Sequence, residues 1–344
     1  MAPTQKALLV TEIGKPVVLV SDRPIPQPGP NQVQLKVSVA GINPHDQRAR
    51  DIDNFVGNDL PAVLTHDVVG KVTELGEGAS GIAVGDRVVT LASLLPGSLQ
   101  NGLQEYTTAD VKALAKIPDS VSDDEAATLP TNVIAPLAGL FGKLKLPTPW
   151  SSAVTSSQRK SMTVLIVGGG SSCGKFAVQL AKLAGIGRIV VVGGNEAELE
   201  GFGATHVVGR HGGEDAVLER IRAIVGDNLV YTLDTVNPPD GQLLTLKALS
   251  NSQEGALARL VLGPVDESKV QGKTAGFKMI DVFSAFGEDE LCEGFWAHLP
   301  GYLQSGGIKP LGYVVKQGLL ADNVNEVLDA YRDQKRVTKT HIHL

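Results

Sequence analysis

The sequence predicts an α/β protein of two domains, one an all-β unit and the other a doubly wound parallel sheet. Three observations carry this. The chain has 344 residues, which suits two domains better than one core. Glycine is abundant at 39 and aromatics are sparse at 4%, as tight turns in a parallel sheet require. Past residue 160 the text alternates a short apolar strand, a glycine turn and a helix.

The first part, residues 6 to 130, reads as short strands broken by Gly and Pro. Lys6–Val10 and Gln32–Val39 alternate or run apolar, with Pro24, Pro26, Pro28 and Pro30 between them. Val68–Leu75 and Arg87–Leu91 follow around the glycine turns at Gly76–Gly85. A barrel or a sandwich fits. Ser122 with Glu125 three residues on forms a capping-box signature, and a helical stretch is expected from Val133 toward Leu144. Pro147–Lys160 reads as a solvated polar loop without chemistry.

The second part opens at Thr163–Val167, a buried strand by its β-branched content. Gly168–Gly174 is a glycine- and serine-rich turn, and Phe176–Ala184 has the spacing of a helix packed on a sheet. Arg188–Val192, Thr205–Val208, Asp215–Val225, Leu229–Asp234 and Leu257–Leu262 continue the repeat. After Gly306 a strand at Tyr313–Lys316, a helix at Asn323–Arg332 and a last strand around Val337–Ile342 are expected. The two ends of the sequence then pair in the first domain, with the α/β domain inserted.

Composition narrows function. The formal net charge of -6 argues against nucleic acid as a partner, since phosphate binding needs clustered Lys and Arg. No run is long enough for a membrane span, and the cytosol is the expected compartment. Only Cys173 and Cys292 occur, which excludes a cysteine-rich structural zinc lobe.

The most informative stretch is Val164–Lys175. A dinucleotide diphosphate needs backbone N–H groups at a helix N-terminus with nothing bulky in the way. Gly170, Ser171, Ser172, Cys173 and Gly174 supply them directly after a buried strand. The second strand ends at Gly193, Gly194 and Asn195 with no carboxylate at its tip. That leaves room for a 2′-phosphate, which Asn195 and Arg210 could bind, although Glu196 and Glu198 follow closely. NADPH is favoured over NADH.

Ala40–Asp46, Leu64–Gly70, Val84–Val88 and the turn at 168–174 resemble, in the same order, the medium-chain dehydrogenase/reductase superfamily. The resemblance implies a GroES-like β-barrel domain over 1–128 and 308–344 and an inserted Rossmann domain over 129–307. Asn43 stands where zinc members carry Cys, which resembles the zinc-independent quinone oxidoreductase branch. The Pro- and Ser-containing insertion resembles fungal trans-acting enoyl reductases of that branch, pointing to secondary metabolism or detoxification. His66 occupies the place of a zinc-binding histidine and Asp67 that of a glutamate. Asp46, His66 and Asp67 offer O and N donors, yet without a thiolate no metal is expected.

The implied activity is hydride transfer from NADPH to a conjugated carbonyl: an enone, an enoyl thioester or a quinone. Asn43 is the first candidate in the catalytic site, with His45, His66 and Tyr106 as candidate proton donors, although each alone reads more readily as structural. Thr131 lies where related enzymes contact the nicotinamide ribose. Leu262, ahead of Gly263 and Pro264, and Lys339 are cofactor candidates by family position, though Lys339 also reads as a surface lysine. His341 and His343 share a strand face but read as a frayed tail. Phe283, Phe286, Phe295 and Trp296, together with the loops Arg48–Pro61, Leu91–Gly102 and Phe283–Trp296, are candidate substrate walls. The expected partner is a small molecule, possibly carrier-bound, for a monomer or homodimer. A zinc-dependent alcohol dehydrogenase with unusual ligands, a non-catalytic NADPH-binding partner and a non-redox enzyme remain as alternatives.

Overall fold

A computed structural model describes residues 3–57, 59–270, 273–283 and 289–344. The chain divides into two units: residues 1–131, 293–305 and 310–344 form the first, and 132–292 with 306–309 the second.

In the first unit, Thr4–Val10 pairs with Val18–Pro24 and Ala62–Val63 in a three-stranded sheet. A seven-stranded sheet is built on the long strand Gln32–Ile42, whose neighbours include Asp67–Leu75, Tyr106–Asp110 and Thr340–His343. Thr340–His343 also pairs with Val314–Gln317, so the late strands join the early sheet as expected. Ala7–Val10, Ala40, Ile42, Ala49, Leu103, Val324, Leu328 and Ile342 make one dry core. Into it the helices Pro44–Ile52 and Ala321–Arg332 turn apolar residues.

The second unit is a six-stranded parallel sheet in the spatial order His206–Val208, Arg188–Val192, Thr163–Val167, Tyr231–Asp234, Gly255–Arg259, Phe277–Asp281. Numbered along the chain this is 3-2-1-4-5-6, the Rossmann order, whose reversal lies at Thr163–Val167. Its central strands are buried on both faces, which explains runs such as Val164–Val167 without polar alternation.

Several elements differ from expectation. The helix expected from Val133 starts at Pro130 and passes at Ala138 into a π-helical turn, Ala138–Lys143, following Pro136. The loop expected at Arg48–Pro61 begins as the end of helix Pro44–Ile52, with Pro44 at a first-turn position. Phe283–Trp296 runs into helix Asp289–Gln304, which buries Phe295 and Trp296 as core rather than as a substrate wall. Phe283 is half exposed, and Phe286 lies outside the described residues.

The insertion is not a free solvated loop. It carries a short capped helix, Ser156–Ser161, and Arg159 is buried. Its guanidinium donates to the carbonyls of Pro147, Thr148, Ser151, Val154 and Ala184. One cation thereby satisfies the backbone of a segment that has few other partners.

Candidate active site

The first unit gathers its chemistry where strand Gln32–Ile42 ends. Asn43 caps helix Pro44–Ile52, and its backbone N–H donates to Asp46 Oδ2 at 2.7 Å. The other Asp46 oxygen accepts the Thr65 N–H at 2.9 Å. Asp46 is fully buried, and burial pushes its carboxyl up to about 6, with His66 and the two amides opposing.

Asp67, at the start of its strand and fully buried, is the hub. It accepts Asn43 Nδ2 at 2.8 Å, the Thr131 amide at 2.8 Å and the Thr131 hydroxyl at 2.6 Å. Lys339 Nζ donates to it as well, and to Asn43 Oδ1 at 2.9 Å. Burial works against the charge on Asp67, but the Lys339 ammonium and these hydrogen bonds hold its carboxyl below the usual range. The result is a buried ion pair with nearly all its lone pairs satisfied, the condition for such a pair to persist.

Beside it, His45 Nε2 and His66 Nδ1 lie 2.9 Å apart. Burial drives both rings down to about 4, joined at His45 by Lys339 and at His66 by His45. Both are therefore neutral at pH 7, which corrects the expectation that they titrate near neutrality. Tyr106 is half-buried on its strand, where its amide donates to Gln5 Oε1. It takes no part in the Asn43–Asp67 network.

His45, Asp46 and His66 present donor atoms within 4.8 Å of one another. The donor set fits a metal poorly. Both carboxylate oxygens already hold backbone amides, one nitrogen of each ring is taken up in the contact with the other ring, and no thiolate is present. Asp67, weighed beforehand only as an oxygen ligand, is instead the counterion of Lys339.

In the second unit, Thr163–Val167 leads into Gly168, whose φ of +96° only glycine adopts readily. Helix Ser172–Leu183 begins within the glycine-rich turn, so Ser172, Cys173 and Gly174 form its first turn and Ser171 its cap. Ser171 Oγ accepts the Gly174 N–H at 2.9 Å and lies 3.0 Å from Thr235 Oγ1. A Cβ on Gly174 would stand 2.2 Å from the Gly168 carbonyl oxygen, whereas Gly170 is exposed and a Cβ there would meet only the Gly194 backbone, at 3.6 Å. The cradle fits a diphosphate: N–H groups at a helix start and a surface clear of side chains. Cys173 is half-buried, its Sγ 3.9 Å from Asn132 Oδ1.

At the second strand tip, Arg210 packs its stem 3.8 Å from where a Gly193 Cβ would be. Gly194 has φ +95°, and Asn195 caps helix Glu196–Phe202 through Oδ1, leaving its amide nitrogen as donor. Glu198 is turned away into an ion pair with Lys175 at 2.7 Å. The sequence reading missed Lys175, although its place one residue past the glycine turn was a signal. Leu262 is exposed beyond the fifth strand of the sheet. Lys339, read as a possible surface lysine, is buried in the first unit.

Residues 29–119 match the alcohol dehydrogenase GroES-like domain family. The trans-enoyl reductase fsr4 of Gibberella fujikuroi is 29% identical over 317 residues, covering 90% of this chain and 89% of the relative. The trans-enoyl reductase tazE of Aspergillus terreus is 31% identical over 272 residues, covering 77% and 88%. Among solved structures, an alcohol dehydrogenase superfamily protein from Novosphingobium aromaticivorans superposes with a TM-score of 0.78 at 22% identity, covering 99% of both chains. A mycobacterial protein complexed with NADPH gives 0.72 at 22% identity, covering 99% of this chain and all of the other. At these identities the structures speak to the fold alone. Among the described residues no helix is long and apolar enough to cross a membrane.

Proposed function

This chain belongs to the medium-chain dehydrogenase/reductase superfamily, in its enoyl reductase-like branch, and on that premise we propose that it is a metal-independent, NADPH-dependent reductase of conjugated carbonyls. That it is an oxidoreductase follows from the family. The observation that supports the finer reading is the buried Asn43–Asp67–Lys339 network, in which an ammonium and an amide answer the Asp67 carboxylate without a metal ion.

When bound, the dihydronicotinamide supplies the hydride. The turn at Gly170–Gly174 holds the diphosphate on its N–H groups, and Arg210 with the Asn195 amide holds the 2′-phosphate. The pairing of Glu198 with Lys175 offsets one of the two acids nearby, with Glu196 the other. Thr131, through its bonds to Asp67, supports the nicotinamide end. Lys339 is the donor for the charge that develops on the carbonyl oxygen: two of its three N–H bonds go to Asn43 and Asp67, which leaves one for the substrate. Asn43 holds Lys339 and Asp67 in place through its amide. His45 and His66, neutral, shape the wall beside them.

Relatives named trans-enoyl reductases favour an α,β-unsaturated thioester, presented on a carrier in secondary metabolism, over a quinone. Titration with NADPH and with NADH, followed by turnover on an enone, an enoyl thioester and a quinone, tests the proposal. NADPH preference with enoyl turnover and no zinc in metal analysis is the expected result. Binding of neither nucleotide, or zinc near one per chain, overturns it.

A further inference from the structure

The two loops expected as substrate walls in the first unit, Arg48–Pro61 and Leu91–Gly102, meet at a cavity of about 70 Å³. That volume holds on the order of five waters, so it suits a small end group and not a whole substrate. His66, 4% exposed, lies on its buried side, and Leu95, 61% exposed, at its mouth. Val56, Val63 and Phe55 give it an apolar wall. The Phe55 ring meets His45 and His66 edge-on, with centroids 5.9 and 6.2 Å away.

One cation lines the same cavity. Arg23, on the strand Val18–Pro24, donates from Nε to Gln104 Oε1 at 3.0 Å. Gln104 is itself fixed: only 1% exposed, it accepts Gln5 Nε2 at 3.3 Å and donates to the Asn101 carbonyl at 2.9 Å. Among the described residues the terminal nitrogens of Arg23 meet no acceptor. Asp59, exposed at the cavity, makes no ion pair with it. Burial alone moves this guanidinium, downward, whereas at Arg50 burial is outweighed by Asp51 and Asp329. A part-buried arginine oriented by one neutral amide has donors to spare, in the planar fork that matches a carboxylate.

The backbone beside the cavity is strained. Phe55, and Thr65 just before His66, take φ of +68° and +71°, a region costly for bulky and β-branched side chains. Strain of this kind persists where the surroundings over-determine it, as at ligand clamps.

We propose that the cavity receives a second, anionic end of the substrate: the unsaturated carbonyl compound carries a carboxylate on a short apolar stem, and Arg23 pairs with it. The inference deepens the reductase reading above and rests on it. The stem packs on Val56, Val63 and Phe55, and the carboxylate takes the spare N–H donors of Arg23. A phosphate fits less well, since the cavity offers one cation and a mainly apolar wall. Arg23 is thereby a specificity residue, selecting acids over their esters.

Two measurements test this on wild type, Arg23→Gln and Leu95→Asp. The first is calorimetric titration with propionate and, as the neutral isostere, propionamide. The second is kcat/KM for an enone bearing a carboxylate two methylenes from its double bond, against the methyl ester of the same compound. Wild type should bind propionate at least about 10-fold more tightly than propionamide and prefer the acid over the ester about 10- to 100-fold, mostly through KM. Both preferences should fall toward one in Arg23→Gln. Leu95→Asp, which sets a negative charge at the exposed mouth, should reduce them as well and keeps the test valid if Arg23→Gln misfolds. Equal binding of propionate and propionamide, or equal turnover of acid and ester by wild type, would overturn the proposal while the reductase reading stood. Selective propionate binding without turnover of either enone would remove the reductase reading and the substrate assignment with it.

Discussion

Replacing Lys339 with Met removes the cation facing Asp67 and leaves the carboxylate its bonds from Asn43 Nδ2 and from the amide and hydroxyl of Thr131. Breaking a buried pair in this way costs roughly 3–5 kcal/mol, and Asn43 Oδ1 loses a donor as well. The cost should depend on pH with a definite sign. In wild type the Asp67 carboxyl is held low, so its contribution is present above about 4 and lost as pH falls further. In Lys339→Met, burial is no longer opposed by the ammonium and the carboxyl moves up. Protonation then relieves the variant on the acid side, by about 1.4 kcal/mol for each pH unit below the raised value. The penalty at pH 8 should therefore exceed that at pH 5. The double variant Asp67→Asn/Lys339→Met should cost far less than the single one. Urea unfolding followed by Trp296 fluorescence in a Trp150→Phe background reads the first unit, where Trp296 is 3% exposed. A penalty below about 1 kcal/mol, equal at the two pH values, would refute the buried pair as described.

His45, His66 and His341 all sit near 4 and Asp46 near 6. Depressed histidines cost stability as pH falls below about 6.5 and the raised Asp46 returns some. The four groups together should remove on the order of 4 kcal/mol between pH 7 and pH 5, and His66→Gln should recover roughly 2 of it; denaturation midpoints unchanged by His66→Gln would contradict its burial as a neutral ring. Arg210→Ala should weaken NADPH about 10-fold with little effect on NADH, read by nicotinamide fluorescence; an equal effect on both places Arg210 away from the 2′-phosphate. Gly174→Ala must push its Cβ off the Gly168 carbonyl, 2.2 Å away, and should abolish nucleotide binding at a stability cost of about 1–3 kcal/mol. Arg159→Met should open residues 147–155 to limited proteolysis, whereas wild type, pinned by five carbonyl bonds, resists.

The strands of the second unit were the most legible part. Thr163–Val167 and Arg188–Val192 match the sequence reading at both ends because a doubly buried strand is an unbroken apolar run. Phe277–Asp281 escaped, since its alternation is half-exposed and carries Lys278 and Asp281. Helix Pro44–Ile52 escaped because Pro44 reads as a break, although a proline is at home in a first turn. The glycine turn between a buried strand and a helix was legible from its place in the repeat, with the helix beginning at Ser172. The Asp67–Lys339 pair was not, because no local pattern links residues 272 apart. A buried acid inside the apolar stretch Leu64–Val69 was the one available hint, and it was read as a possible ligand. The tail histidines were misjudged for a similar reason: their partner Asp124 is remote in sequence.

That same separation has a consequence for synthesis. At about 5–20 residues per second, a ribosome needs roughly 15–50 s to make Lys339 after Asp67. Throughout that interval the early strands lack both their late neighbour Thr340–His343 and the cation for their buried acid. The inserted sheet, whose six strands lie between Thr163 and Asp281, is complete well before then. The nascent chain therefore carries a finished parallel sheet while the first unit is still open, and the last strand to leave the ribosome is the one that closes that unit.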